Sequence, residues 1–258
     1  RIASGLPRAG TDCYRLVHGA ADGLGGLTVD VYGQHLVASL YTDERGPREE
    51  AWLDELATLG FRGVYFKHRP KQANELDASE RLVRCPPGAV RGESAPEAFV
   101  VRENGVPFEV RLGDGLSTGL FLDQRDNRAR ILGSSAGKSV LNLFAYTCSF
   151  GLVAAQGGAR ATTNMDVSRP ALERGRPPSG AAGFAAGEHL FLARDVLDAL
   201  PRLARKDTRH ELVILDPPSY ASTRGKRFSV ERDYAELVAL SAALVADGGE
   251  LLACTNHH

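Results

Sequence analysis

Apolar runs and helix-like stretches alternate along the second half of the chain, from Val140 onward. The apolar runs are short and nearly continuous, which is typical of strands buried on both faces of a parallel sheet. Strands that alternate with helices indicate βαβ units with right-handed crossovers. The pattern predicts strands over 139–146, 159–166, 189–195, 211–216 and 250–256, separated by helices over 149–157, 168–175, 196–205 and 231–246.

The first 115 residues instead contain short alternating segments separated by glycines. Apolar residues on one face predict a helix over 47–60, and Gly33 with Gln34 is expected to close a tight hairpin. The polar segment 70–98, with its prolines and glycines, predicts a loop. Strands are predicted over 14–19, 27–33, 35–41, 63–69 and 107–112.

Length and composition fit a globular protein of two domains, which we place at 1–115 (small α+β) and 116–258 (parallel sheet). The chain has 258 residues, a net charge of −1 and 43% hydrophobic residues, enough for a sizeable core. Because the net charge is close to zero, nucleic-acid binding has to come from local patches.

The four cysteines show no C-x-x-C spacing, so the sequence predicts no zinc site and a reducing, cytoplasmic compartment. No run of about 18 apolar residues is present, so no membrane span is predicted. The oligomeric state is left open, a homodimer included.

Three acids each follow a predicted strand: Asp166, Asp195 and Asp216. Ligands of parallel sheets bind at the carboxyl ends of the strands, near the switch in strand order. A single Asp after a strand is more often a helix cap or a turn former, but three at one edge indicate a binding rim.

The loop after the first strand of this sheet, 142–151, carries Gly151 but no glycine triplet. A dinucleotide needs close backbone approach at such a loop, so a pyrophosphate ligand is disfavoured. S-adenosylmethionine, which has no phosphate, suits the loop better. Asp166 is placed to accept hydrogen bonds from both ribose hydroxyls, and Asp195 from an adenine amino group.

The stretch 211–220 ends a buried strand with Asp216 and then fixes two φ angles with Pro217 and Pro218. A stiff loop with carbonyls open to accept from a base, next to an aromatic residue, Tyr220, favours the positioning of an extruded base. The alternative is a rigid turn without a binding role.

Five segments together resemble class I S-adenosylmethionine-dependent RNA methyltransferases with a Rossmann-like sheet, above all the group that methylates cytosine C5 in large-subunit ribosomal RNA. They are 115–131, 140–151, 165–168, 215–220 and 232–256, and 14–33 resembles the start of that group's middle domain. In that group an N-terminal PUA domain precedes the small α+β domain; this sequence is expected to lack it, and the sheet is expected to continue past residue 258. It implies cofactor contacts from Phe121, Gln124, Arg125, Asn142, Phe144, Tyr146, Thr147, Asp166, Ser168, Asp195 and Asp216, with Arg125 at the methionine carboxylate and Ser168 capping the next helix.

The same resemblance matches Cys254 to the nucleophile of the cytosine-5 group. Cytosine C5 is a poor nucleophile and needs attack of a thiolate at C6, while Asp216 would hold the N3 and amino edge. The alternative for Cys254 is a buried strand cysteine, and Cys148 is expected to serve packing. For Arg125 and Arg128 the alternative is a solvated helix face.

Two basic runs, 66–71 and 222–227, are candidates for phosphate contacts, the second through Arg224, Lys226 and Arg227. Three readings stay open. The first is methylation of RNA at cytosine C5. The second is methylation at guanine N7 or an exocyclic amine, weakened because amine methyltransferases place the aromatic directly after the prolines. The third is a catalytically silent RNA-binding module; a nicotinamide dehydrogenase is a distant fourth.

Overall fold

The computed structural model describes residues 9–43, 46, 48–70, 76–176, 188–206, 208–223 and 226–255, and of residues 221–223 and 226–227 only the backbone. The chain forms two compact units, Arg1–Arg125 and Asp126–His258. The division falls at the start of helix α3 (Arg125–Ser134). The domain boundary predicted between residues 115 and 116 lies before this division and stays a prediction.

A five-stranded mixed sheet forms the centre of the first unit, in the order β1-β2-β3-β4-β5. β3 and β4 are parallel and the other pairs are antiparallel. The elements are β1 (Cys13–His18), β2 (Leu27–Tyr32), β3 (His35–Leu40), α1 (Arg48–Ala57), β4 (Gly63–His68), α2 (Ala78–Arg84), β5 (Arg91–Gly92) and the hairpin β6 (Phe99–Glu103) with β7 (Val106–Val110). As expected, Gly33 closes the β2–β3 hairpin, with a left-handed φ of +58°.

The expectation of a loop over 70–98 is wrong in part, because α2 and β5 lie within it. Asp77 accepts the backbone N–H of Glu80 at 2.8 Å, and the Glu80 carboxylate accepts the N–H of Asp77 at 3.1 Å. This reciprocal capping box begins α2.

The basic run 66–71 does not form an exposed patch at its centre. Lys67 is only 1% exposed, and its ammonium group donates to the carbonyl of Gly115 at 2.6 Å. His68 is equally buried, with Nε2 2.8 Å from the carbonyl of Thr42. Lys71 lies outside the described residues.

The second unit is built on a parallel sheet in the order β10-β9-β8-β11-β14. The chain runs outward from β8 to one edge and returns to β11, so the order switches between these two central strands. After α3 the elements are β8 (Ser139–Leu143), α4 (Ser149–Gln156), β9 (Ala161–Asp166), α5 (Arg169–Arg174), β10 (His189–Ala193), α6 (Val196–Ala204), β11 (His210–Leu215), the hairpin β12 (Tyr220–Thr223) with β13 (Lys226–Ser229), α7 (Val230–Ala242) and β14 (Val245–Ala253).

This arrangement confirms the predicted α/β class with a Rossmann-like parallel sheet. The central strands are buried on both faces, and α6 and α7 contribute to the same hydrophobic core. The two largest differences from the predicted boundaries are that α7 ends at Ala242 and not at 246, and that β14 begins at Val245 and not at 250. Gly248 lies within β14 and has a left-handed φ of +73°.

Candidate active site

The carboxyl ends of the parallel strands lie level with one another. Leu215, the last residue of β11, pairs with Leu143 of β8 and with Ala253 of β14. The residues that follow, Asp216 and Cys254, therefore emerge side by side on adjacent strands. Asp216 follows β11 and so borders the switch in strand order between β8 and β11, where ligands of such sheets bind.

The loop that follows β8 holds three non-glycine residues in the left-handed region: Phe144 (φ 56°), Tyr146 (φ 48°) and Cys148 (φ 59°). Each costs about 1–2 kcal/mol for an L-residue. Backbone hydrogen bonds hold the loop, from the N–H of Ala145 to the carbonyl of Met165 at 3.0 Å and from the N–H of Cys148 to the carbonyl of Ala145 at 2.7 Å. Such concentrated strain is a feature of binding sites.

Asp166 ties the same loop to the end of β9. Its Oδ2 accepts the backbone N–H of Tyr146 at 2.8 Å, and its Oδ1 accepts the N–H of Ser168 at 2.8 Å. Ser168 in turn caps α5, as expected, by accepting the N–H of Ala171 at 3.3 Å. The carboxylate thus faces the loop with fixed orientation.

Asp195 caps α6, since its Oδ1 accepts the N–H of Leu197 at 2.9 Å. The side chain is half-buried after β10. The cap that was the alternative reading of this acid is therefore present, and a contact to adenine stays a prediction.

Two of the predicted cofactor residues are buried. Asn142 lies within the sheet and donates from Nδ2 to Oδ1 of Asn164 at 2.9 Å. Thr147 is buried in the strained loop. Gly151 makes room for this pair of amides, because a Cβ there would lie 1.9 Å from Oδ1 of Asn164.

The double-proline segment leads into a hairpin that sequence reasoning missed. Pro217 is buried and Pro218 is exposed, and Tyr220 begins β12 with 63% of its surface exposed. The carbonyl of Ser219 accepts the N–H of Val230 at 3.1 Å, so the base of the hairpin is closed. Arg224 and the side chains of Lys226 and Arg227 lie outside the described part of the structure.

An aromatic pair joins this hairpin to the strained loop. The rings of Phe144 and Phe228 stack with centroids 6.4 Å apart and an interplanar angle of 28°. Phe228 is buried in the core of the second unit. The loop after β8 and the hairpin after β11 are therefore packed against each other.

Cys254 is 6% exposed, and both its backbone N–H and its backbone carbonyl are hydrogen-bonded. Its N–H donates to the carbonyl of Leu215 at 2.8 Å, and its carbonyl accepts the hydroxyl of Tyr234 at 2.8 Å. Nδ2 of Asn127 lies 4.0 Å from the sulfur. Burial raises the pKa of Tyr234, and the nearby Cys254 and Asp216 raise it further.

Asn127 and Tyr234 are the neighbours of Cys254 that the sequence did not indicate. Both belong to segments that carry the family resemblance, but nothing in their spacing pairs them with a cysteine more than a hundred residues or a whole helix away. Only the packing of α3 and α7 beside the end of β14 shows the contacts.

Cys148 is a different kind of cysteine. It is fully buried at the start of α4, and burial raises the pKa of its thiol well above the usual range, with Asp166 adding to the rise. A thiol held in its neutral form is a poor nucleophile, which agrees with the packing role expected for it.

The predicted cofactor-binding residues that precede α4 are divided between the two units. Phe121, Gln124 and Arg125 belong to the first; Phe121 is 48% exposed ahead of a single helical turn, Leu122–Gln124. The alternative considered for Arg128, a place on a solvated helix face, is wrong, because this side chain is only 1% exposed.

The described residues contain no helix that is long and apolar enough to cross a bilayer. They also hold no group of three or more His, Cys, Asp or Glu side chains that could bind a metal ion.

A parallel sheet with a strained, glycine-poor loop after its first strand and an acid after the second defines a nucleoside-binding α/β protein. The model of the S-adenosylmethionine-dependent methyltransferase family matches residues 72–258. The chain belongs to this family.

Individual relatives agree with that assignment. The chain is 35% identical over 253 residues to a ribosomal RNA large subunit methyltransferase of Deinococcus radiodurans, covering 96% of this chain and 60% of that protein. It is 33% identical over 248 residues to ribosomal RNA large subunit methyltransferase I of Aeromonas salmonicida, covering 96% and 61%. The chain thus spans about three fifths of the length of these curated relatives.

Solved structures share the fold over nearly the whole chain. The methyltransferase SMU.776, crystallised in complex with SAH, superposes with a TM-score of 0.83 at 32% identity, covering 99% of this chain and 64% of that one. A S-adenosylmethionine-dependent methyltransferase from Streptococcus mutans gives a TM-score of 0.78 at 32% identity, covering 96% and 62%.

Proposed function

We propose that this chain transfers a methyl group from S-adenosylmethionine to C5 of a cytosine in large-subunit ribosomal RNA, through a covalent adduct with Cys254. The observation that carries the proposal is the side-by-side placement of Asp216 and Cys254 after two paired parallel strands. Family membership and the names of the relatives support methyl transfer to ribosomal RNA. A cytoplasmic location and an RNA partner belong to the same proposal.

The residues of the rim fit S-adenosylmethionine. Asp166 accepts one backbone N–H at each oxygen, and each carboxylate oxygen has a second lone pair, which suits two ribose hydroxyls. The loop 144–148 offers no glycine-lined phosphate cradle, and the ligand needs none. When bound, the cofactor supplies a methyl group on a sulfonium centre.

Further cofactor contacts are part of the proposal. Asp195 is assigned to the adenine amino group, and Phe121, Gln124 and Arg125 to the remaining ligand, with Arg125 at its carboxylate. Asn142 is buried and bonded to Asn164, so we assign it the support of the loop and not a side-chain contact.

Cys254 and Asp216 divide the work on the base. The thiolate of Cys254 would form a bond to C6 while the Asp216 carboxyl gives its proton to N3, and an electron pair becomes available at C5. C5 would then take the methyl group as the methyl–sulfur bond breaks. A general base removes the C5 proton, N3 returns its proton to Asp216, and the sulfur–C6 bond breaks, so the thiolate leaves with the electron pair of that bond as the 5,6 double bond returns.

The hairpin after the prolines is assigned to the RNA. Buried Pro217 anchors the segment, while Pro218 and Tyr220 face outward. A solvent-exposed aromatic ring is suited to stack on an extruded base. Arg224, Lys226 and Arg227 are proposed to contact phosphates.

A second candidate is methylation at guanine N7 or an exocyclic amine with Cys254 as a structural residue. The low exposure of Cys254 favours it, since a buried strand cysteine is common. The two candidates differ in what they require of the sulfur.

Replacement of that sulfur separates the candidates. In Cys254→Ala we expect loss of methyl transfer to large-subunit ribosomal RNA, with S-adenosylmethionine binding by calorimetry unchanged. The control is Cys85→Ala, which removes a buried thiol of the first unit and should leave transfer intact. Transfer that persists in Cys254→Ala rejects the adduct and supports the second candidate; absence of cofactor binding in the unaltered protein supports a silent module.

A further inference from the structure

Two helices deliver polar groups to Cys254, and the proposed function as stated gives neither group a role. Asn127 comes from the first turn of α3, and Tyr234 from α7. We propose that both are positioning residues for methyl transfer: Tyr234 fixes the backbone of Cys254, and the amide of Asn127 donates to its sulfur and favours the thiolate. This inference rests on the proposed function of Cys254 and deepens it.

The backbone of Cys254 is held from both directions. Its N–H is engaged by Leu215 of β11, and its carbonyl by the hydroxyl of Tyr234, each at 2.8 Å. The residue lies one position past the last strand residue, Ala253, and its N–H still bonds to β11. The hydroxyl of Tyr234 fixes the carbonyl in addition. Together the two bonds set the direction of the Cα–Cβ bond of Cys254.

Such restraint matters for a nucleophile because alignment controls the rate. A misplacement of about 1 Å at the reacting atom costs on the order of 100-fold. Since Tyr234 touches the backbone and not the sulfur, its hydroxyl affects the position of the thiol and not its charge. Burial raises the pKa of Tyr234, so the hydroxyl keeps the proton that it donates.

The charge of the sulfur faces opposing influences. Low exposure disfavours a thiolate, because burial penalises the charged form, and the acid Asp216 follows the neighbouring strand. Asn127 brings a donor without adding a charge, because its amide Nδ2 lies 4.0 Å from the sulfur. A donated hydrogen bond favours the charged form of its acceptor, and catalytic hydrogen bonds of ligand-free proteins are often long.

The test measures thiol reactivity without RNA. Alkylation of Cys254 by iodoacetamide is followed against pH by mass spectrometry in the full protein and in Asn127→Ala, Asn127→Asp and Tyr234→Phe. For Asn127→Ala we expect a midpoint moved to higher pH and about tenfold slower alkylation near neutrality, the range for a hydrogen bond to a charged group. Asn127→Asp keeps the shape but replaces the donor by a carboxylate, so its midpoint should move further in the same direction.

Tyr234→Phe should leave the alkylation midpoint in place. It should instead lower kcat for methyl transfer and slow adduct formation with RNA that carries 5-fluorocytidine. The matched control is Tyr65→Phe, which also removes a hydroxyl bonded to a backbone group, the N–H of Ala95 at 2.9 Å in the first unit, and should change neither measurement.

The outcomes separate the inference from the proposed function. If both Asn127 variants alkylate with the unaltered midpoint, the role of Asn127 is rejected, whatever the methylation assay shows. If kcat of Tyr234→Phe equals that of Tyr65→Phe, the role of Tyr234 is rejected. The proposed function itself fails if Cys254→Ala still transfers methyl groups or if the unaltered protein does not bind S-adenosylmethionine.

Discussion

At the scale of single residues, Asp166 shows how one carboxylate organises the cofactor end of the site. It accepts one backbone N–H from the strained loop and one from the start of α5. Both bonds are to fixed main-chain groups, so the side chain has little freedom left. The acid acts first as a tie between two segments, and the proposed contact to ribose depends on that tie.

Asp166→Asn tests this double role. An amide has one acceptor oxygen, so its NH₂ group would face one of the two backbone donors and leave that donor unsatisfied, at about 1–3 kcal/mol. We expect S-adenosylmethionine affinity, measured by calorimetry, to fall about 10- to 100-fold. Asp77→Asn, which alters an acid that accepts a backbone N–H at the start of α2, should leave the affinity unchanged; equal affinities in both variants would reject the role of Asp166.

The sequence predicted the acids and the cap of this site because their meaning is local. An Asp directly after an apolar run lies at a strand end, and Ser168 precedes a helix. The surroundings of Cys254 were not predictable, because Asn127 and Tyr234 reach it through tertiary packing alone. The buried state of Lys67 has the same origin: its partner, the carbonyl of Gly115, lies 48 residues along the chain.

At the scale of elements, the loop after β8 and the hairpin β12–β13 act as neighbours. The stacked rings of Phe144 and Phe228 join them, so the cofactor loop and the proposed base-binding segment share one packing contact. A change in that contact should disturb both partners of the reaction.

Phe228→Leu is expected to weaken this connection. It removes an aromatic pair and part of the core volume, so the free energy of unfolding in urea should fall by about 1–2 kcal/mol. Because the hairpin is no longer held against the loop, kcat for methyl transfer should fall about tenfold.

A matched variant shows whether that effect is local. Phe108→Leu shortens another buried phenylalanine, in β7 of the first unit, and should lose similar stability with kcat retained. An equal loss of kcat in both variants would attribute the effect of Phe228 to stability alone.

Most elements of the second unit were predictable because strand-like and helix-like segments alternate, and β8, β10 and β11 contain short apolar runs. The errors occur where local signals conflict with tertiary ones. Gly248 and Gly249 indicate a turn, and β14 includes them as an irregularity, because its pairing with β11 jumps from Val245 to Glu250. In the first unit, the capping box of Asp77 and Glu80 is legible in the sequence, and a search for it would have found α2.

At the scale of the whole second unit, hydrogen bonds and an ion pair join the amino ends of the strands, opposite the carboxyl ends that form the candidate site. Glu211 of β11 accepts from Arg160 at 2.7 and 3.1 Å and from the N–H of Ser139 at 2.9 Å, and its carboxylate also bonds the Ser139 hydroxyl. Three strands begin at this cluster. The arginine and the serine hold the pKa of Glu211 well below its usual range.

A depressed carboxylate pKa stabilises the folded state above the unfolded pKa of about 4.3, and the contribution is lost as the pH falls through the folded value. Glu211→Gln should therefore reduce the free energy of unfolding between pH 5 and 7 by about 1 kcal/mol or less, because solvent screens this half-exposed group. The difference should shrink below about pH 4. Urea unfolding against pH measures it, with Glu97→Gln, an exposed acid, as the control; a difference that grows toward acid would contradict the prediction.

The left-handed backbone at Phe144, Tyr146 and Cys148 has a consequence for how such a chain evolves. Glycine or asparagine adopts this conformation more readily than these residues do, so either at Tyr146 would relieve backbone strain and add thermal stability. Phe144 and Cys148 differ, because their side chains pack in the core and would be lost with the change. At Tyr146 the same change would loosen the surface proposed to receive the nucleoside, so selection for heat resistance and selection for cofactor affinity act in opposite directions there.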